Sequence, residues 1–266
     1  MKNKMVYLGM LIAGVLGMGT QSTKAQAEDL SIAGDIGVAS QYVWRGVPQT
    51  ASKAAVQGDL SVAKDGFSGS VWFSNSYASP APQYAGKDVV EFDWTLDYSG
   101  SIGDTGLGYS VGGIYYSYLY DSPSNFGELY AGISYDAVVS PSLTAYYNVK
   151  GTSNTGTSAG FYKTGDIWVD ASASGSLAGF DLSGTVSYAK WKKDAAVRPI
   201  GAINTWKDGL SLATVAVSKD VKVGDSTMTS SLTYTYPLAK KQADGNRYIY
   251  GLPVKSEFIA AVNFSY

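Results

Sequence analysis

Cysteine and histidine are both absent from the 266 residues, and only 16% of the residues carry charge. Without cysteine there is no disulfide framework, no thiolate nucleophile and no thiolate metal site. Without histidine the usual general base and commonest metal ligand is missing too. Triad hydrolysis by Ser-His or Cys-His is excluded. Charge is scarce against the roughly one quarter usual in soluble domains, and 13% aromatics is too many for a disordered chain. Beyond the N-terminus no apolar run approaches the about 20 residues a spanning helix needs, and no phosphate-cradling glycine loop occurs. What the chain has in quantity is glycine (31) and tyrosine (21).

Residues 1–27 have the three parts of a secretory signal peptide: Lys2 and Lys4, the apolar run Met5 to Gly19, and the small-x-small site Ala25-Gln26-Ala27. The run is too short for a membrane anchor. Cleavage after Ala27 is expected to leave residues 28–266 as a single domain. Removing Lys2, Lys4 and Lys24 leaves 17 basic residues against 22 acidic ones, a balance that speaks against nucleic-acid binding.

From there the chain alternates with period two, the pattern of strands that send successive side chains to opposite faces. Val90, Phe92, Trp94, Leu96 and Tyr98 share one face, while Glu91, Asp93, Thr95 and Asp97 share the other. Phe258, Ala260, Val262, Phe264 and Tyr266 oppose Glu257, Ile259, Ala261, Asn263 and Ser265 in the same way. Such segments fall near 31–44, 55–63, 67–78, 88–101, 106–120, 126–139, 142–152, 165–178, 180–193, 209–223, 227–237 and 255–266. Short turns such as Lys64-Asp65-Gly66, Ser140-Pro141 and Gly224-Asp225 take turns with longer connections. The fold class this predicts is all-β: an antiparallel up-and-down transmembrane β-barrel of about 12 strands in a bacterial outer membrane. Closure satisfies the edge N–H and C=O groups that hydrocarbon cannot, and it puts the greasy face outside and the polar face inside. A secreted β-sandwich would use shorter strands and gives no reason for a terminal aromatic. Phe264 and Tyr266 end the chain in alternating phase, as a C-terminal sorting signal read by barrel-assembly machinery or as members of an interfacial aromatic girdle.

The stretch Gly34 to Thr50, with Tyr42-Val43-Trp44-Arg45-Gly46 at its centre, resembles the TorF family of porins, a Gcw_chp-type family. Ala55 to Asp59 and Trp72 to Asn75 follow it in the same manner. The likeness runs over about residues 32–101; beyond it only the strand rhythm and terminal aromatic agree. It implies a porin-like outer-membrane barrel with no named substrate.

The phases place Asp35, Asp59, Glu91, Asp93, Asp97, Glu128, Asp136, Asp170, Asp181 and Glu257 inside, against Arg45, Lys150 and Lys193. Carboxylates lining a narrow pore favour cations, although they also serve simply to solvate a polar lumen. Twelve strands give a cylinder of roughly 25 Å, narrowed by inward Trp72, Tyr130, Tyr146 and Trp168. The expectation is a channel for passive diffusion of small hydrophilic solutes or ions, weakly cation-preferring, with no cofactor, no metal and no catalytic role. The alternatives are a non-conducting receptor or structural barrel, for which residues 194–208 and 238–254 are the segments long enough to form a plug, and a carboxylate-based barrel enzyme. Bulges would disturb the phases most in 209–223, where neither face is clearly apolar. Basic residues gather on the long connections. Lys190 and Lys192, in the phase of Val186 and Tyr188, suit outer-membrane lipids and the phosphates of lipopolysaccharide. A basic vestibule and a solvated surface are the other readings.

Overall fold

A computed structural model describes residues 29–77, 88–152, 162–192 and 206–266; the expected signal peptide and Lys193 lie outside them. Twelve antiparallel strands close into one barrel. In chain order they are β1 (Ser31–Ala39), β4 (Ala55–Lys64), β5 (Phe67–Tyr77), β6 (Asp88–Ser101), β7 (Leu107–Tyr118), β8 (Phe126–Tyr135), β9 (Ser140–Lys150), β10 (Ile167–Leu177), β11 (Phe180–Lys190), β12 (Gly209–Val223), β13 (Ser226–Pro237) and β16 (Glu257–Ser265). Each pairs with its neighbours in the chain, and β1 pairs with β16 to complete the ring. That seam aligns only five positions, Asp35 with Ser265 through Ala39 with Ala261. Two further hairpins, β2 (Val43–Trp44) with β3 (Val47–Pro48) and β14 (Arg247–Ile249) with β15 (Leu252–Val254), stand outside the ring's hydrogen bonding.

Alternation sets the two faces. Ile32, Ile36, Val38, Leu60, Trp94, Leu96, Leu129, Leu143, Leu232 and Phe258 are exposed on the outer wall. The buried groups are those that point inward, among them Asp59, Glu91, Glu128, Asp170 and Glu257. A water-soluble protein would arrange them the other way round. Glycines let large side chains lie flat along the wall. A Cβ on Gly112 would come within 2.5 Å of the Tyr130 hydroxyl and 2.6 Å of the Leu96 carbonyl oxygen, and one on Gly34 would meet the Tyr266 hydroxyl at 2.8 Å.

Four sequence expectations need correction. The first strand ends at Ala39 rather than residue 44, because the chain turns inward there and forms β2–β3. Pro141 is the second residue of β9, not part of the turn, a place where its missing N–H costs little. Asp136 lies beyond the end of β8 and is exposed, so it does not line the lumen. Lys150 is also exposed outside: the β8–β9 register shifts between Gly127 and Glu128, which leaves Val149 as an extra residue and reverses the phase after Asn148. A second shift does fall at the start of residues 209–223. Ser187 pairs with Leu212 and Tyr188 with Leu210, so Ser211 is the extra residue and both Ser211 and Leu212 are buried.

Candidate functional site: a clasped plug inside the barrel

Two connections on the same side of the barrel fold into it. In β2–β3 the register pairs Trp44 with Val47, leaving Arg45 and Gly46 as a two-residue turn with φ of 46° and 81°. In β14–β15 it pairs Ile249 with Leu252, leaving Tyr250 and Gly251 with φ of 52° and 72°. Positive φ at both central residues is the mark of the tight hairpin turn whose twist matches its strands. The glycine of each pair adopts it freely, while Arg45 and Tyr250 hold a conformation that side chains disfavour. The tips meet: Arg45 Nη1 donates to the Tyr250 hydroxyl at 2.8 Å.

Arg45 is 3% exposed. Its two terminal nitrogens donate to the two carboxylate oxygens of Glu128 on β8 at 2.7 and 2.9 Å, a fork-to-fork pairing. Tyr116 donates its hydroxyl to the same carboxylate at 3.1 Å. The guanidinium carbon lies 4.5, 4.9 and 5.0 Å from the ring centres of Trp44, Tyr146 and Trp168, within cation–π range. Burial works against the Arg45 charge, but the Glu128 carboxylate outweighs it and holds the guanidinium pKa well above its usual value. Burial raises the Tyr250 hydroxyl above its ordinary range, so that it stays neutral.

Around this centre the lumen is filled with rings. Trp44 stacks on Tyr250 at 5.2 Å and meets Phe126, Tyr116 and Tyr162 edge-on. Trp168 also stacks on Tyr250, and Trp191 and Trp206 meet it edge-on. The first hairpin's other contacts reach across the barrel: Tyr42 packs on Trp72 of β5, Gly46 against Leu212 of β12, and Gln41 Nε2 donates to Glu257 of β16 at 2.9 Å. The plug thus touches the wall on β5, β7, β8, β9, β10, β12 and β16.

The acidic residues take several positions. Asp35 faces Asp59 across β1 and β4, and Trp72 stands between Asp59 and Asp93 in the register, so one row runs Asp35, Asp59, Trp72, Asp93, Tyr116. Asp97 accepts a 2.6 Å hydrogen bond from Tyr130, which reaches over Gly112 to make it. Glu91 accepts from the Tyr118 hydroxyl at 2.9 Å, while its Oε2 and Asp93 Oδ1 are buried with no partner among the described residues. These two carboxylates lie near Tyr42, whose hydroxyl is raised first by burial and then by their charge. Asp170 accepts from Trp168 Nε1 at 2.7 Å and Ser187 at 2.6 Å. Asp181 is exposed near the short-turn end and accepts from Ser176. The structure therefore gathers Arg45, Glu91, Asp93, Glu128 and Glu257 around the first hairpin, and leaves Asp136, Lys150 and Asp181 apart from it. No group of three or more acidic residues suited to a metal occurs among the described residues. Phe264 and Tyr266 are exposed on the outer face at the short-turn rim.

Sequence reasoning missed Tyr42, Trp44 and Tyr250 as site residues. It expected a plug only from 194–208 and 238–254; the second contributes Tyr250, Trp206 belongs to the first, and the connection after β1 supplies the centre. The signal available was the pair of X-Gly dipeptides, Arg45-Gly46 and Tyr250-Gly251, each flanked by apolar residues.

The family described as "Bacterial protein of unknown function (Gcw_chp)" matches residues 23–237. No curated protein matches the sequence. Among solved structures, the KdgM porin is similar at a TM-score of 0.52 and 10% identity, over 88% of this chain and 98% of that one. Pseudomonas aeruginosa OprD gives 0.41 and 15%, over 90% and 67%. Outer membrane phospholipase A from Escherichia coli gives 0.46 and 12%, over 88% and 89%. The expectation of no catalytic role is withdrawn, since an enzyme, outer membrane phospholipase A, stands among the similar structures.

Proposed function

This chain belongs to the Gcw_chp family, and on that footing we propose that it is a porin-like channel of the bacterial outer membrane, passing small hydrophilic solutes or ions with a weak preference for cations. The observation that carries the reading is the inversion of faces: a closed barrel with an apolar outer wall and carboxylates on its inner one. Oxygen-lined interiors with surplus negative charge concentrate cations and oppose anions. Arg45, the one buried base among the described residues, is paired with Glu128, while Glu91, Asp170 and Glu257 are further buried acidic side chains of the same interior. Removal of a signal peptide at Ala27, a TorF-type identity for the Tyr42–Thr50 block, lipopolysaccharide contact through Lys190 and Lys192, and assembly guided by Phe264 and Tyr266 complete the proposal.

Planar-bilayer recording of the purified barrel in asymmetric potassium chloride tests it, and ammonium and small organic cations extend the comparison. The expected result is a small conductance with a reversal potential on the cation side. A reversal potential on the anion side would refute the preference. The packed plug favours a second reading, a non-conducting receptor barrel. Silence from both the intact protein and a variant whose hairpin is released would establish that reading instead.

A further inference from the structure

The clasp has the form of a ligand in a binding site. Glu128 presents both carboxylate oxygens to a single planar fork, the Tyr250 hydroxyl accepts a further donor, and the faces of Trp44, Tyr146 and Trp168 surround the charge. A two-oxygen acceptor combined with aromatic faces and excluded water distinguishes a planar guanidinium from a spherical alkali ion or an ammonium. Most of this cage belongs to the wall: Tyr116 to β7, Glu128 to β8, Tyr146 to β9 and Trp168 to β10. Strand pairing fixes the backbone that carries these four side chains, and those pairings do not involve the hairpin. The occupant is carried on a loop, in a turn where Arg45 holds φ at 46°. A tether in that conformation is strained, whereas a free guanidinium would bind without the strain.

We propose that the Glu128 cage is a recognition site for guanidinium-bearing solutes, that Arg45 occupies it as a tethered surrogate, and that such a solute displaces Arg45 and moves the plug. Binding is a property of the cage alone; the consequence for passage rests on the channel reading above.

The test uses the full barrel in detergent, with Arg45→Ala to vacate the cage and Arg45→Ala/Glu128→Gln to remove its acceptor. Guanidinium, sodium and methylammonium chlorides are titrated at millimolar concentrations, and binding is followed by the tryptophan fluorescence of Trp44 and Trp168. The expected result is saturable binding to Arg45→Ala with a preference of about tenfold or more for guanidinium, lost in the double variant. Equal responses to the three cations, or an unchanged response in the double variant, would overturn the proposal. If unheated gel mobility shows that the alanine variant has not folded, Arg45→Lys replaces it. Lysine lacks the fork, so guanidinium should still displace it, and the same comparison with Glu128→Gln decides. Conductance measured on these samples separates the two readings. Guanidinium binding without current in any variant keeps the site and removes the channel, and current without guanidinium binding does the reverse.

Discussion

Replacing Glu128 with glutamine should open the plug without opening the barrel. The substitution keeps the side chain's shape but removes its charge and turns one acceptor into an NH2 group facing the Arg45 donors. Arg45 cannot shed its proton, so it would remain a buried cation facing two neutral acceptors, the amide oxygen that replaces the carboxylate and the Tyr250 hydroxyl 2.8 Å away. Losing one partner of a buried pair costs about 3–5 kcal/mol. The barrel's strand pairing does not pass through this pair, so the cheapest response is withdrawal of β2–β3. At about 1.4 kcal/mol per factor of ten, the withdrawn population should rise roughly two to three orders of magnitude. Trypsin reports this directly. The Arg45–Gly46 bond is shielded while Arg45 is 3% exposed, and cleavage there follows the open population when reclosing is fast. Mass spectrometry of fragments ending at Arg45 should show a comparable acceleration, with the unheated gel mobility of a folded barrel retained. Cleavage within about threefold of the unsubstituted rate, in a folded variant, would refute the assignment of Glu128 as the latch.

Gly112→Ala should lower the urea midpoint of unfolding. The new Cβ meets the Tyr130 hydroxyl and the Leu96 carbonyl, and the Tyr130–Asp97 hydrogen bond is lost at about 1.5–3 kcal/mol. Asp93→Asn replaces a carboxyl group whose Oδ1 is buried with no partner among the described residues and should move the reversal potential toward zero without loss of folding; an unchanged potential would place selectivity elsewhere. Asp244, in the connection before β14, is held below its usual pKa by the Tyr248 hydroxyl and by Asn246. Its contribution to the order of that loop is therefore present above the ordinary aspartate pKa and lost as pH falls through its own lower value. Amide shifts of Asn246 should follow that acid transition, and Asp244→Asn should abolish it.

The barrel was legible because period-two alternation survives wherever one face meets apolar surroundings and the other a polar interior. Glu91 to Tyr98 and Glu257 to Tyr266 announce their faces without ambiguity. The plug was not, because the same alternation continues through Tyr42 and Trp44 after the ring has ended: an aromatic packed inside a lumen repeats the spacing of an aromatic on an outer wall. Arg45 reaches the interior on a hairpin turn rather than on a ring strand, and its partner Glu128 lies 83 residues away on β8. No local pattern joins them. Lys150 shows the other limit, since one extra residue at Val149 exchanges inside for outside and leaves composition untouched.

The five aligned positions between β1 and β16 are the shortest pairing in the ring. Every other strand lies beside one that is close in the chain, but this join unites the ring's first strand with its last and waits until both have been made. The cylinder therefore has a zip, fastened last and held by the fewest teeth, and an assembling or retreating barrel should part along it first. A covalent staple across Gly37 and Asn263, which face each other there, would convert a ring that can be reopened into one that cannot.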